Sequence, residues 1–156
     1  MKKWLLCCTL LLTYPTMSEN KSQLTECSVN QLDRPNQQLV MMELRKLGVK
    51  HVTIVLAQSV LETGHYRSKL SRTHNNLFGF RTKKGYLRFT NWRESCAYYK
   101  KWQDRHYNAS KHRTYYQFLR KVGYAGDPNY TTIVKKIAND ITKRKQNKSI
   151  HRSNNR

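Results

Sequence analysis

The most restrictive stretch of this chain is Val52 to Leu61, where Ile54, Val55, Leu56, Val60 and Leu61 cluster in ten residues. Such spacing puts apolar groups all around a helix, and a helix apolar on every side is a buried one. The rest of the chain must therefore wrap it. A length of 156 residues with 38% in the hydrophobic set suits one core of this kind. Six Gly and three Pro, without a repeat period, exclude a fibre or a linker-rich architecture. The buried helix ends in Glu62-Thr63-Gly64, where Gly64 suits a left-handed C-terminal cap.

The N-terminus obeys different rules. Lys2 and Lys3 precede the run Trp4 to Leu12, which is followed by a polar stretch containing Thr16 and Ser18. A bilayer span needs about 20 apolar residues, so this run reads as a secretory signal over 1–18, with cleavage after Ser18. Export to a periplasm, an envelope or the medium is expected. Cys7 and Cys8 raise lipid attachment, but the apolar run continues past both, which favours plain secretion. No other stretch is apolar enough to span a membrane.

The chain carries 30 Lys and Arg against nine Asp and Glu, a formal charge of +21. Without Lys2 and Lys3 the count is 28 against nine, or +19. An anionic partner is implied: acidic polymer, bacterial envelope or nucleic acid. Cys27 and Cys96 remain after the signal, and they can pair or stay as free thiols; neither has metal-ligand spacing.

Residues 19–35 are polar and read as a loose arm. Gln37 to Leu47 spaces Leu39, Met42, Leu44 and Leu47 as a helix that stops at Gly48. Phe78, Phe80, Tyr86, Leu87 and Phe89 flank Thr82-Lys83-Lys84-Gly85, which predicts a hairpin within 77–90. Trp92, Cys96, Tyr99 and Trp102 mark a helix over 92–107, and a short one covers 115–122. Asp127-Pro128 opens a last helix bearing Tyr130, Val134, Ile137, Ala138 and Ile141. Residues 143–156 add six basic and no acidic residues and are expected to be a solvated, disordered tail. The prediction is a single mainly α domain with one hairpin, in the α+β class.

Nine acids are few enough for elimination. Glu19, Glu26 and Asp33 fall in the arm, Glu43 and Asp104 on helix surfaces, Asp127 at a cap and Asp140 on a polar face. Glu62 has no such explanation. A carboxylate at a helix C-terminus faces the negative end of the macrodipole, and burial beside apolar groups adds to that, so its neutral form is favoured. A carboxyl still protonated near neutral pH is what general acid cleavage of a glycoside needs. The competing explanation is a Glu simply exposed at a helix end.

Three segments then stand in order: Ala57-Gln58-Ser59-Val60-Leu61-Glu62-Thr63-Gly64, Asn75-Asn76-Leu77-Phe78-Gly79-Phe80-Arg81, and Tyr124-Ala125-Gly126-Asp127-Pro128-Asn129-Tyr130. They resemble three signatures of the bacterial endo-β-N-acetylglucosaminidase family of peptidoglycan hydrolases, which is related in fold to lysozymes, and Trp92-Arg93-Glu94-Ser95 fits the segment after that family's hairpin. The resemblance covers residues 36–142 and implies a lysozyme-like helical domain whose hairpin lobe flanks a substrate cleft. It makes Glu62 the general acid that protonates the glycosidic oxygen. Tyr130 matches the Tyr beside that acid, with a core aromatic as the alternative. Asn75 and Asn76 match the loop lining the cleft, where amides can bond an N-acetyl group or simply shape a turn. Phe78 and Gly79 match a cleft wall and a close backbone approach, with core packing the alternative for Phe78. Tyr86 and Tyr124 are further candidate cleft contacts, since sugar rings present apolar faces.

A second carboxylate is less well marked. Glu94 is the one unassigned acid near the hairpin, yet Asn91-Trp92-Arg93-Glu94 also reads as a helix start with Glu in its first turn. If Glu94 takes no part, the substrate's own 2-acetamido oxygen can attack instead. The six histidines show no ligand spacing and no phosphate-binding Gly-rich loop occurs, so no metal or cofactor is expected. The expected partners of a monomeric enzyme are peptidoglycan strands and anionic envelope polymers. A lytic transglycosylase or muramidase is the nearest alternative. More distant ones are a nucleic-acid-binding protein, opposed by the signal and by the lack of a nucleic-acid fold signature, and a non-catalytic wall-binding module, opposed by the intact Glu62.

Overall fold

In the computed structural model, residues 34–154 are described. The signal and arm assignments therefore lie outside them, apart from Arg34 and Pro35. The helices are α1 (Gln37–Lys46), α2 (Val52–Thr63), α3 (Lys69–His74), α4 (Trp92–His106), α5 (Tyr115–Lys121) and α6 (Tyr130–Asn154). Between α3 and α4 come two antiparallel strands, β1 (Arg81–Thr82) and β2 (Gly85–Tyr86). A one-turn 3-10 helix at Ala109–Lys111 precedes α5.

As the apolar run demanded, α2 is the centre. Val55, Leu56, Ala57 and Val60 are all within 1% of full burial, and α6 and α1 pack along this helix. Each such Val or Leu contributes about 1.5–3 kcal/mol. Gly64 closes α2 in the left-handed region at φ 52, its N–H bonded to the Leu61 carbonyl.

Local capping places the other elements. Asn36, Ser68, Asn91 and Thr114 each accept a backbone N–H with the side chain at the start of their helices. Asp127 accepts the Asn129 N–H at 2.8 Å, and its carbonyl accepts the N–H of Tyr130 at 3.1 Å, so it caps the turn that leads into α6.

The short hairpin expected within 77–90 is present, with strands of two residues each. Other expectations need correction. On α1 the buried pair is Val40 and Leu44, four residues apart, while Met42 is 58% exposed. The 143–154 part of the supposed tail is helix, the continuation of α6. Lys, Arg and Gln are good helix formers, no Gly or Pro interrupts them, and a packed segment upstream has already met the cost of nucleation.

Cys96 is a fully buried thiol on α4 and is free among the described residues; Cys27, its possible partner, lies outside them. Burial pushes that thiol up to about 12, so it is inert packing.

Candidate active site

Glu62 is half-buried on the last turn of α2. Desolvation raises its carboxyl above the usual carboxylate range, and a hydrogen bond from the Tyr130 hydroxyl opposes this without cancelling it. Tyr130 is 7% exposed at the first turn of α6, which brings that hydroxyl to the carboxyl from a second helix. Two of the sequence-derived residues thus meet across the α2–α6 contact.

A third arrives from the loop between α3 and β1. Gly79 takes φ +67, and a Cβ placed there would stand 2.9 Å from Glu62 Oε2. Only glycine combines that left-handed backbone with room for the carboxyl. Next to it, Tyr124 donates its hydroxyl to the Phe78 carbonyl at 3.0 Å and stacks on Tyr130 with centroids 5.7 Å apart. Burial also holds the Tyr124 hydroxyl firmly protonated. The loop carrying Gly79 is therefore pinned to the Tyr130 side of the site.

The remaining candidates have structural work. Asn76 is fully buried; its Nδ2 donates to the carbonyls of Phe80 and Leu87 at 2.8 and 3.0 Å, and its Oδ1 accepts the Phe80 N–H at 3.1 Å. That amide holds the hairpin closed and has no face left for a ligand, which corrects its assignment as a substrate contact. Asn75 ends α3 at φ 52 and donates to the carbonyls of Phe89 and Thr90. Phe78 is 2% exposed against Tyr99, with centroids 4.5 Å apart, and so belongs to the core, its other expected place. Tyr86 is 53% exposed on β2, with the Arg81 guanidinium 5.6 Å from its ring centroid.

Glu94 is exposed and reaches back to accept the Thr90 N–H at 3.0 Å, while Asn91 accepts the N–H of Glu94. This reciprocal pattern is a helix cap. Glu94→Ala should lower stability by about 1 kcal/mol, read from urea midpoints, and by more than Glu94→Gln does.

Sequence reasoning passed over Gln58 and Gln103, both within 1% of complete burial. Their signal was available: an amide on an otherwise apolar helical face must find partners.

Among the described residues no group of three His, Cys, Asp or Glu is placed to hold a metal ion, and no helix is long and apolar enough to cross a membrane.

This arrangement is a half-buried carboxyl whose neutral form burial favours, a hydroxyl donor and a close backbone loop on a mainly helical α+β frame of lysozyme-like class. The family model for mannosyl-glycoprotein endo-beta-N-acetylglucosaminidase matches residues 37–143, and the chain belongs to that glucosaminidase family of glycoside hydrolases. No curated protein and no solved structure matches the chain.

Proposed function

We propose that the chain is a secreted endo-β-N-acetylglucosaminidase that cleaves the β-1,4 bond following N-acetylglucosamine in peptidoglycan, with Glu62 as general acid. The observation that carries this is the Glu62 carboxyl, half-buried so that its neutral form is favoured, with Tyr130 and Gly79 close against it. Glu62 gives its proton to the bridging oxygen as the anomeric carbon becomes oxocarbenium-like. The Tyr130 hydroxyl then stabilises the carboxylate left behind.

Glu94 is committed to the Thr90 N–H, which favours the substrate's 2-acetamido oxygen as the group that attacks the anomeric carbon. Glu94→Gln should then lower turnover less than tenfold. Tyr86 and Tyr124 are the aromatic contacts proposed for the sugar faces.

Charge supports the polymer. No acid lies between Glu62 and Glu94, and the hairpin region exposes Arg81, Lys83, Lys84 and Arg88. Stem-peptide carboxylates would be drawn there, and binding to wall should weaken as salt rises. The signal-like residues 1–18 support delivery outside the cytoplasm.

Mass spectrometry of digested, purified peptidoglycan is the test. Reducing-end N-acetylglucosamine is the expected product. Anhydro-muramic ends would instead assign a lytic transglycosylase, and reducing-end muramic acid a muramidase.

A further inference from the structure

A line of hydrogen bonds runs through the core to the site. Gln58, one turn before Glu62 on α2 and fully buried, donates its Nε2 to the Tyr130 hydroxyl at 3.2 Å. Its Oε1 accepts from the Tyr99 hydroxyl at 2.7 Å. The hydroxyls of Tyr99 and Tyr115 are 2.8 Å apart. Gln103 Nε2 donates to the Tyr115 hydroxyl at 2.9 Å and to the Lys50 carbonyl at 2.9 Å. The Lys50 N–H donates to Gln103 Oε1 at 2.8 Å.

Backbone and amide groups together set the direction of every link. A backbone N–H can only donate, so Lys50 fixes Gln103 Oε1 as acceptor and leaves its Nε2 as donor. Tyr99 spends its single proton on Gln58 Oε1, so between the two tyrosines Tyr115 donates and Tyr99 accepts, while the Tyr115 oxygen accepts from Gln103. The Gln58 Nε2 then donates to the Tyr130 oxygen, and the Tyr130 proton is left for Glu62. All donors point one way.

We propose that Gln58, Tyr99, Tyr115 and Gln103 are positioning residues, a one-way hydrogen-bond chain anchored on the Lys50 backbone that forces the Tyr130 hydroxyl to donate to Glu62. The inference rests on the reading of Glu62 as the acid. The chain lets the conjugate carboxylate form beside a donor that is already aimed, with no reorientation at the moment of proton transfer. A Tyr130 hydroxyl free to turn would spend part of its time donating to Gln58.

The test follows the Glu62 carboxyl carbon by NMR in the full-length chain labelled at glutamate, assigned by its loss in Glu62→Gln. Tyr99→Phe removes one hydroxyl and frees the Gln58 amide to turn its Oε1 toward Tyr130. The Glu62 titration midpoint should rise by up to about one pH unit. The alkaline limb of wall clearing should move with it, with kcat changed and KM unchanged. Tyr130→Phe should raise the midpoint as well, and adding Tyr99→Phe to it should move nothing further. Tyr107→Phe should leave the midpoint alone, because its hydroxyl bonds His51 at 2.8 Å, off the chain.

An unmoved midpoint in Tyr99→Phe, or additive shifts in the double variant, overturns the proposal. If Tyr99→Phe does not fold, Tyr115→Phe carries the same expectation and the same refutation. A wild-type chain that fails to clear wall would overturn the reading of Glu62 as catalyst, while the titration still decides on the hydrogen-bond chain.

Discussion

Glu62→Gln is expected to abolish wall clearing, a loss of about 100- to 10,000-fold, while the protein melts no lower than the wild type. Glutamine keeps the shape and still accepts from Tyr130, but it has no proton to give. The stability half of this expectation follows from titration. Burial raises the Glu62 carboxyl, so the folded state holds that proton more tightly than the unfolded chain. In the window between the ordinary glutamate value and the raised one, stability therefore falls as pH rises. The amide removes this dependence. Above that window Glu62→Gln should melt slightly higher than the wild type, and below it the two should coincide. The wild-type rate should itself fall as pH climbs through the raised Glu62 value, where the acid form is lost. Melting curves and clearing assays at paired pH values check both halves. Retained activity in Glu62→Gln would remove the catalytic assignment.

Gly79→Ala is the second large effect. The new methyl would meet Glu62 Oε2 at 2.9 Å and Cδ at 3.5 Å, and the backbone at φ +67 disfavours any side chain. The carboxyl end is flexible enough to yield, so the protein should fold with a stability loss of about 1–2 kcal/mol. What it yields is the placement of the acid. A displacement near 1 Å can cost on the order of 100-fold in rate, and that is the expected drop in turnover. Gly123→Ala separates the two causes: its φ is +63, but nothing lies within 4 Å of a Cβ there. It should melt lower to a similar degree and keep its activity. Equal activity losses in both variants would show that strain, not contact with Glu62, is responsible.

Much of this was legible in the sequence, and the reasons differ by element. The apolar run of α2 could only be a buried helix, and scarcity of acids singled out Glu62. Tyr130 came from motif order alone, because nothing in its spacing says that it meets Glu62. Met42 deceived because a helical period fixes a face only to within a turn, and Val40 with Leu44 fills the core instead. α3 gave no pattern: it has six residues and one buried side chain, Ser71. The loop amide of Asn76 looked like a ligand contact because Asn serves turns and ligands alike, and only the four groups around it decide. Gln58 and Gln103 were readable as polar intrusions on buried faces, but their partners lie 41 and 53 residues away in the chain, beyond any local pattern.

The sealed sulfur on α4 has a practical consequence. Exchange with glutathione or any other small thiol needs an accessible thiolate, and the group at Cys96 offers neither access nor ionisation below about 12. Among the described residues the folding of this helix bundle therefore borrows nothing from a cross-link at that position. Its melting curve should be the same with and without a reductant, and the ambient redox poise leaves the architecture around α4 untouched.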